Sequence, residues 1–314
     1  MNYLILNQLG TPETFSPESV GQYLSEFLMD ENVIPIKRPL RDILVKVGIV
    51  PLRRAKSAKK YASIWGEEGS PLLANTINLQ KKLQAQLGDE WKVIIGMRYS
   101  QPSMQQALQQ VSNDSQDRIF FLPLYPHYAQ ATVFSSVQRL KELTRDYKKS
   151  IRIIEPFYAK NWYIKAQSEI IKQHLKPNHH LLLSYHGLPI SQETHLDISY
   201  QKQCLETSKA LQNVLGLSDQ SITSAFQSRV GLKKWIGPST DETMRNLASQ
   251  GVKNLAVACP SFMADCLETL EEIGLELKHN FLAQGGTSFQ LIPCLNDHNL
   301  FVEGIISELR PDIP

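Results

Sequence analysis

The stretch HLLLSYHGLP, His180 to Pro189, is an apolar run with an abrupt polar ending. Leu181, Leu182 and Leu183 are consecutive rather than alternating with polar residues, which is how a strand covered on both faces reads. Strands of that kind belong to parallel sheets wrapped by helices, so the stretch decides the fold class if its pattern recurs. It does recur, as YLIL (3–6), KVIIGM (92–97), RIFFLPL (118–124), IRII (151–154), HLLLSY (180–185), ITSAF (222–226), NLAVAC (254–259) and FQLIPC (289–294). Between these runs lie stretches of helical spacing, among them SPESVGQYLSEFLMD, SMQQALQQV, VFSSVQRLKELTRDY, KAQSEIIKQHL, STDETMRNLASQ and ADCLETLEEIGLELKH. Strand and helix alternate throughout, which predicts an α/β protein with right-handed crossovers.

Eight such units could close into a barrel. The first crossover is far longer than the rest, however, with several helices expected between residues 7 and 91. That irregularity favours two open, doubly wound, Rossmann-like domains, each with a parallel sheet of about four strands flanked by helices. A chain of 314 residues is comfortable for two cores. The divide is expected near Glu155-Pro156, giving domains over 1–155 and 156–299, with a C-terminal helix over 300–314 packing back on the first.

The hydrophobic fraction of 42%, the charged fraction of 20% and the net charge of +2 are those of an ordinary soluble protein and call for no nucleic-acid partner. The basic stretch RRAKSAKK (53–60) has no interleaved aromatics and reads as a solvated helix face. Cys204, Cys259, Cys266 and Cys294 are scattered without a C-x-x-C pair, against a zinc knuckle or a disulfide scaffold. No apolar run is long enough to cross a bilayer and the N-terminus lacks a secretory pattern, so a reducing cytoplasmic setting is expected. No dinucleotide fingerprint or P-loop follows any apolar run, which speaks against an oxidoreductase or NTPase.

In doubly wound sheets ligands lie beyond the carboxyl ends of the strands. Those positions hold Gln8-Leu9-Gly10-Thr11-Pro12, Arg98-Tyr99, Tyr125-Pro126-His127-Tyr128, His186-Gly187, Gln227-Ser228-Arg229 and Pro260-Ser261-Phe262. Aromatics, imidazoles and two arginines on one rim suit a flat, mostly apolar ligand carrying a few anionic groups. Any single tyrosine at a strand end reads better as an amphipathic lid on the core.

In DCLETLEEIGLE, Asp265, Glu268, Glu272 and Glu276 fall at spacings of three and four, on one face of a helix, with Leu267, Leu270, Ile273 and Leu277 on another. Asp265 alone reads as a first-turn carboxylate favoured by the helix dipole. Glu268 follows soon after a strand end, near the same rim as His186. An imidazole and a carboxylate make ligands for a divalent metal, or a base and proton-acceptor pair. Two protein ligands are too few for a structural zinc site and suit a metal in transit.

The chain resembles the ferrochelatases, which insert ferrous iron into a porphyrin to make haem. The resemblance rests on LGTPE, IWGEEGSPLL (64–73), GMRYSQPSM (96–104), LPLYPHYAQAT (122–132), SYHGLP (184–189), FQSRVGLKKWIGPSTDET (226–243) and CPSFMADCLETLEEI (259–273). It implies the chelatase fold of two Rossmann-like domains with the porphyrin held between them. It gives metal binding and proton acceptance to His186 and Glu268, with Glu272 continuing an acidic path. It places Leu9, Ile34, Arg98, Tyr99, Tyr125, Ser184, Trp235 and Phe262 at the porphyrin, with Phe27, Leu28, Val33 and Ile34 forming an apolar lip. Ferrous iron is then a substrate and no cofactor is tightly bound.

Gln8 stands where relatives often carry asparagine, and Cys266 where animal members carry histidine. The ending LRPDIP lacks the cysteine-bearing extension that holds an iron–sulfur cluster in some relatives, so no cluster is expected. Relatives using coproporphyrin often carry tyrosine where this chain has Leu9, so protoporphyrin is the expected substrate. A monomer is expected, with peripheral membrane contact open because porphyrins dissolve poorly in water. The rival readings are a chelatase for coproporphyrin or sirohydrochlorin, and a haem or porphyrin carrier without catalysis.

Overall fold

Each apolar run forms a strand in a computed structural model of the chain, which describes residues 1–112, 117–147, 149–193, 198–229 and 233–309. The strands are β1 (Asn2–Gln8), β2 (Trp91–Met97), β3 (Arg118–Pro123), β4 (Ile151–Ile153), β5 (His180–His186), β6 (Ile222–Gln227), β7 (Asn254–Ala258) and β8 (Ser288–Leu291). They form two parallel sheets, ordered β2-β1-β3-β4 and β6-β5-β7-β8. Strand order reverses beside β1 and beside β5, and the crevice at such a switch point is where open α/β sheets take ligands. The carboxyl ends of β1 and β5 are therefore the positions of interest.

The chain divides into two compact units. One comprises Met1–Pro156 with the C-terminal stretch from Ile305, and the other Phe157–Gly304. The final helix runs over Asn299–Leu309, so residues 310–314 of the segment anticipated as helical lie outside the described residues. Residues 230–232 of the 226–243 motif lie outside them as well.

In the first unit Tyr3, Ile5, Ile94, Ile119 and Phe121 meet Met104, Leu108 and Leu140 from two short helices in one core. Serines start the helices: Ser16 caps Pro17–Leu28, and Ser103 forms a reciprocal capping box with Gln106. The long first crossover holds helices over Pro17–Leu28, Leu40–Ala62 and Pro71–Leu87, the second with a π-helical turn at Leu44–Ile49. RRAKSAKK lies on the second, where Arg53, Arg54 and Lys56 face solvent. The same helix leaves Leu40, Ile43, Val47 and Leu52 exposed. No helix among the described residues is long and apolar enough to cross a membrane.

His127, expected on the rim, is turned inward and only 2% exposed. Burial holds its pKa down to about 3. In the unfolded chain the ring protonates near its ordinary value of about 6.5. Below that pH the unfolded chain takes up a proton that the native state refuses, so folding stability falls by about 1.4 kcal/mol per pH unit until pH nears the native value. Between pH 6.5 and 5 the group should cost roughly 2 kcal/mol. Urea titrations of wild type and His127→Asn over that range measure it, and parallel pH profiles would refute it.

In the second unit Leu182, Ala225, Leu255 and Val257 of the sheet pack against Met244, Leu247, Ile273, Leu277 and Phe281. The acidic segment does form a helix, but of the π type over Glu268–Leu277. Its hydrogen bonds skip five residues rather than four, so the turn is wider than that of an α-helix. Ile273 and Leu277 are its buried apolar contacts, while Leu267 and Leu270 are half-buried.

Candidate active site

β5 ends on His186, and several bonds hold that end in place. The His186 N–H donates to Ser261 Oγ at 3.1 Å, its carbonyl accepts from Tyr200 Oη at 2.9 Å, and Phe262 lies beside the ring at 6.1 Å between centroids. His186 Nδ1 lies 2.6 Å from the Gly187 carbonyl oxygen. A carbonyl only accepts, so Nδ1 carries the hydrogen and Nε2 keeps its lone pair. The imidazole is therefore set as a base or a metal ligand through Nε2.

Gly187 is required by close approach. Its N–H donates to the Gln227 carbonyl at 2.8 Å, and a Cβ there would come within 2.6 Å of that same oxygen. The last rung between β5 and β6, and with it the seat of His186, depends on a residue without a side chain.

β6 ends on Gln227 and Ser228 follows it, two rim positions to which the sequence assigns no role. Gln227 Nε2 donates to the Glu268 carbonyl at 2.9 Å, and its Oε1 accepts from Ser184 Oγ at 2.6 Å. Ser228 adopts φ +64°, unusual for a residue other than glycine. That conformation brings its N–H to Glu272 Oε1 at 2.7 Å and its hydroxyl to Oε2 at 2.6 Å, so both carboxylate oxygens are held. Burial raises the Glu272 pKa above the ordinary carboxylate value, and the Glu268 charge adds to the rise. The Ser228 bonds and the His186 imidazole work the other way. His186, Glu268 and Glu272 thus form one electrostatic cluster.

Some expected positions differ. Ser184 is fully buried two residues below His186, where its hydroxyl bonds Gln227 and Thr240, so it braces the site from beneath and offers nothing to a ligand. Asp265 precedes the helix and does not extend the acidic face: it accepts from Asn296 Nδ2 at 2.8 Å, Thr269 Oγ1 at 3.1 Å and the Cys294 N–H. The chain from Cys259 to Cys266 is not helical, so the three-and-four spacing cannot carry back to Asp265. Glu276 is exposed. Trp235 is half-buried and pairs by its backbone with Pro189 beyond His186.

In the first unit Leu9 and Ile34 are half-buried, but Tyr99 and Tyr125 are buried. Burial pushes both phenols well above their ordinary pKa. Leu124 extends the ladder through its N–H to the Asn7 carbonyl at 2.8 Å, and Tyr125 after it is buried. Arg98 donates to Ser135 and is paired with Asp30. Neither Asp30 nor Ser135 was anticipated. Asp30 could have been noticed only as a carboxylate at a helix end, which is a common and unspecific feature.

Among the described residues no three His, Cys, Asp or Glu side chains converge on a point that would hold a metal ion. The imidazole and carboxylates of the second unit are of the types that can ligate a divalent metal or take up a proton.

Solved chelatases share the fold. SirB from Bacillus subtilis with Fe3+ superposes with a TM-score of 0.57 over 98% of this chain and 94% of its own, at 11% identity. CbiX, described as the terminal enzyme for biosynthesis of siroheme in denitrifying bacteria, gives a TM-score of 0.52 at 12% identity over 100% of this chain and 99% of its own. Curated relatives are much nearer in sequence. The ferrochelatase of Legionella pneumophila (strain Paris) is 42% identical over 99% of both chains. That of Pseudomonas aeruginosa (strain LESB58) is 37% identical over 98% of this chain and 97% of its own. The ferrochelatase family model matches residues 3–311, and with those relatives it shows that this chain belongs to the ferrochelatase family.

Proposed function

We propose that this chain inserts ferrous iron into protoporphyrin IX, giving haem b and releasing two protons in the last step of haem biosynthesis, a lyase reaction carried out in the cytoplasm. The observation that carries the mechanism is the 2.6 Å contact of His186 Nδ1 with the Gly187 carbonyl, which assigns the hydrogen of the neutral ring to Nδ1 and leaves Nε2 as its acceptor nitrogen. A porphyrin presents two pyrrole N–H groups and two lone pairs in one plane, and both protons must leave as iron enters. Binding the macrocycle bent exposes those groups, at a cost met by contacts of its apolar faces. His186 Nε2 takes the first pyrrole proton and gives it up to Glu268 and Glu272, which regenerates its lone pair to take the second as iron enters, so both protons leave by way of the carboxylates. Burial suits Glu272 to that task by raising its proton affinity. In the second unit Phe262 and Trp235 are aromatic residues suited to contact with a porphyrin ring, and in the first Leu9 and Ile34 are apolar ones.

The test is anaerobic incubation with ferrous iron and either protoporphyrin or coproporphyrin, following loss of free-porphyrin fluorescence. Metallation of neither sinks the reading, and metallation of coproporphyrin alone overturns the argument from Leu9. A porphyrin carrier would bind both without metallating either.

Exposed Leu40, Ile43, Val47 and Leu52, with Arg53, Arg54 and Lys56 nearby, support peripheral contact with an anionic bilayer. The protein should co-sediment with phosphatidylglycerol vesicles at low salt, and a Val47→Glu/Leu52→Glu variant should stay in the supernatant. Equal sedimentation of the two would count against that contact.

A further inference from the structure

Asp30 follows the Pro17–Leu28 helix, and its carboxylate gathers five donors. Oδ2 accepts from Tyr99 Oη at 2.8 Å, from Ser135 Oγ at 2.6 Å and from Arg98 Nη2. Oδ1 accepts from the Asn32 N–H at 2.8 Å and from Asn32 Nδ2 at 3.0 Å. The Asp30 carbonyl takes the amides of Val33 at 3.1 Å and Ile34 at 2.9 Å. Asn32 Nδ2 also reaches Gln138 Oε1 at 2.8 Å, tying the turn to the Ser135–Leu143 helix. The Asp30 side chain is 5% exposed and that of Arg98 15%.

One edge of the arginine is committed to this arrangement. Arg98 Nε donates to Ser135 Oγ at 2.8 Å while Nη2 binds Asp30, so the side-on edge of the guanidinium fork is taken. Its Cζ also lies over the Tyr99 ring at 4.5 Å. A substrate carboxylate seeking that edge would have to displace a buried carboxylate already held by two hydroxyls. Burial pushes the Asp30 pKa up, but Ser135, the Asn32 N–H, Arg98 and Tyr99 together hold it below its ordinary value, so the group stays ionised.

We propose that Asp30 is a positioning residue: it latches the turn carrying Val33 and Ile34 onto Arg98, Tyr99 and Ser135, and Arg98 serves that latch rather than receiving a substrate carboxylate. The consequence for catalysis rests on the proposed function, in which Ile34 touches the porphyrin. The latch itself does not rest on it.

Hydrogen exchange in the substrate-free protein tests the latch directly. In Asp30→Asn and in Arg98→Met the amides of Asn32, Val33 and Ile34 should exchange about tenfold faster or more, the size expected for losing a hydrogen bond to a charged group. The double variant should be no worse than the worse single one, because both remove the same contact. With ferrous iron, porphyrin KM should rise about tenfold with kcat changed less than about threefold, equally for mesoporphyrin and its dimethyl ester. A KM defect in Arg98→Met that disappears with the ester would overturn the proposal by making Arg98 a carboxylate anchor. Unchanged exchange in Asp30→Asn would overturn it too. If the wild type metallates no porphyrin, the functional reading falls and exchange still decides the latch. Should Asp30→Asn not fold, Tyr99→Phe and Ser135→Ala each remove one donor and should give smaller rises in exchange at the same amides, whose absence counts against the latch.

Discussion

Replacing His186 by alanine should slow porphyrin metallation by about 10³-fold, near the middle of the range for loss of a positioned general base. Porphyrin affinity should change by less than about threefold, since the imidazole is one small contact beside a large apolar ring. The two effects separate because the proposed role of His186 lies in taking a proton through Nε2, an interaction made as the reaction proceeds rather than on binding. Single-turnover fluorescence gives the rate, and quenching titrations without metal give the affinity. Metallation within tenfold of wild type would show that another group accepts the proton. A large loss of affinity would instead make His186 a binding residue.

Gly10→Ala should destabilise the first unit by about 3 kcal/mol or more. Gly10 has φ +114°, which side-chain-bearing residues rarely adopt, and its Cβ would overlap the Tyr99 carbonyl oxygen. Neither partner can retreat. Tyr99 N–H donates to the Leu9 carbonyl at 2.9 Å, Thr11 N–H reaches Ser100 Oγ at 3.1 Å, and Thr11 Oγ1 meets Ser70 Oγ at 2.7 Å. For a unit of this size the melting temperature should fall by roughly 6–12 °C. Porphyrin affinity should weaken as well, since displaced Tyr99 pulls on Asp30. A variant melting within about 2 °C of wild type would refute the clash.

The architecture was legible because it depends on short-range pattern. Continuous runs such as Leu181-Leu182-Leu183 can be buried on both faces only in a helix-covered parallel sheet. All eight runs are strands, and they form two four-stranded sheets rather than one barrel; the long first crossover joins β1 to β2 inside the first sheet, and the chain passes to the second sheet between β4 and β5. His186 stood out as a polar residue ending an apolar run, and Glu268 as a member of an acidic face at helical spacing after another.

What the sequence could not supply was depth and partnership. Ser184, His127 and Tyr125 sit in motifs at strand ends, yet each is buried: Ser184 shares the strand face of His186 but lies deeper, bonded to Gln227 and Thr240, and Tyr125 and His127 fall in the bend after β3, where strand alternation sets no direction. Asp265 and Glu268 are three residues apart and would share a face of an α-helix. The actual helix begins after Asp265 and is π-wound, so one carboxylate is spent on Asn296 and Thr269 while the other stays in the His186 cluster.

Spacing along the chain therefore determined the strands and the two sheets, and the family motifs singled out His186 and Glu268 as candidates. Tertiary structure alone decided that Ser228 holds Glu272 from 44 residues away and that Asp30 claims Arg98 from 68. The physical reason is that pairing between side chains depends on which loops the sheet order brings together, and residues so far apart carry no mutual periodicity to read.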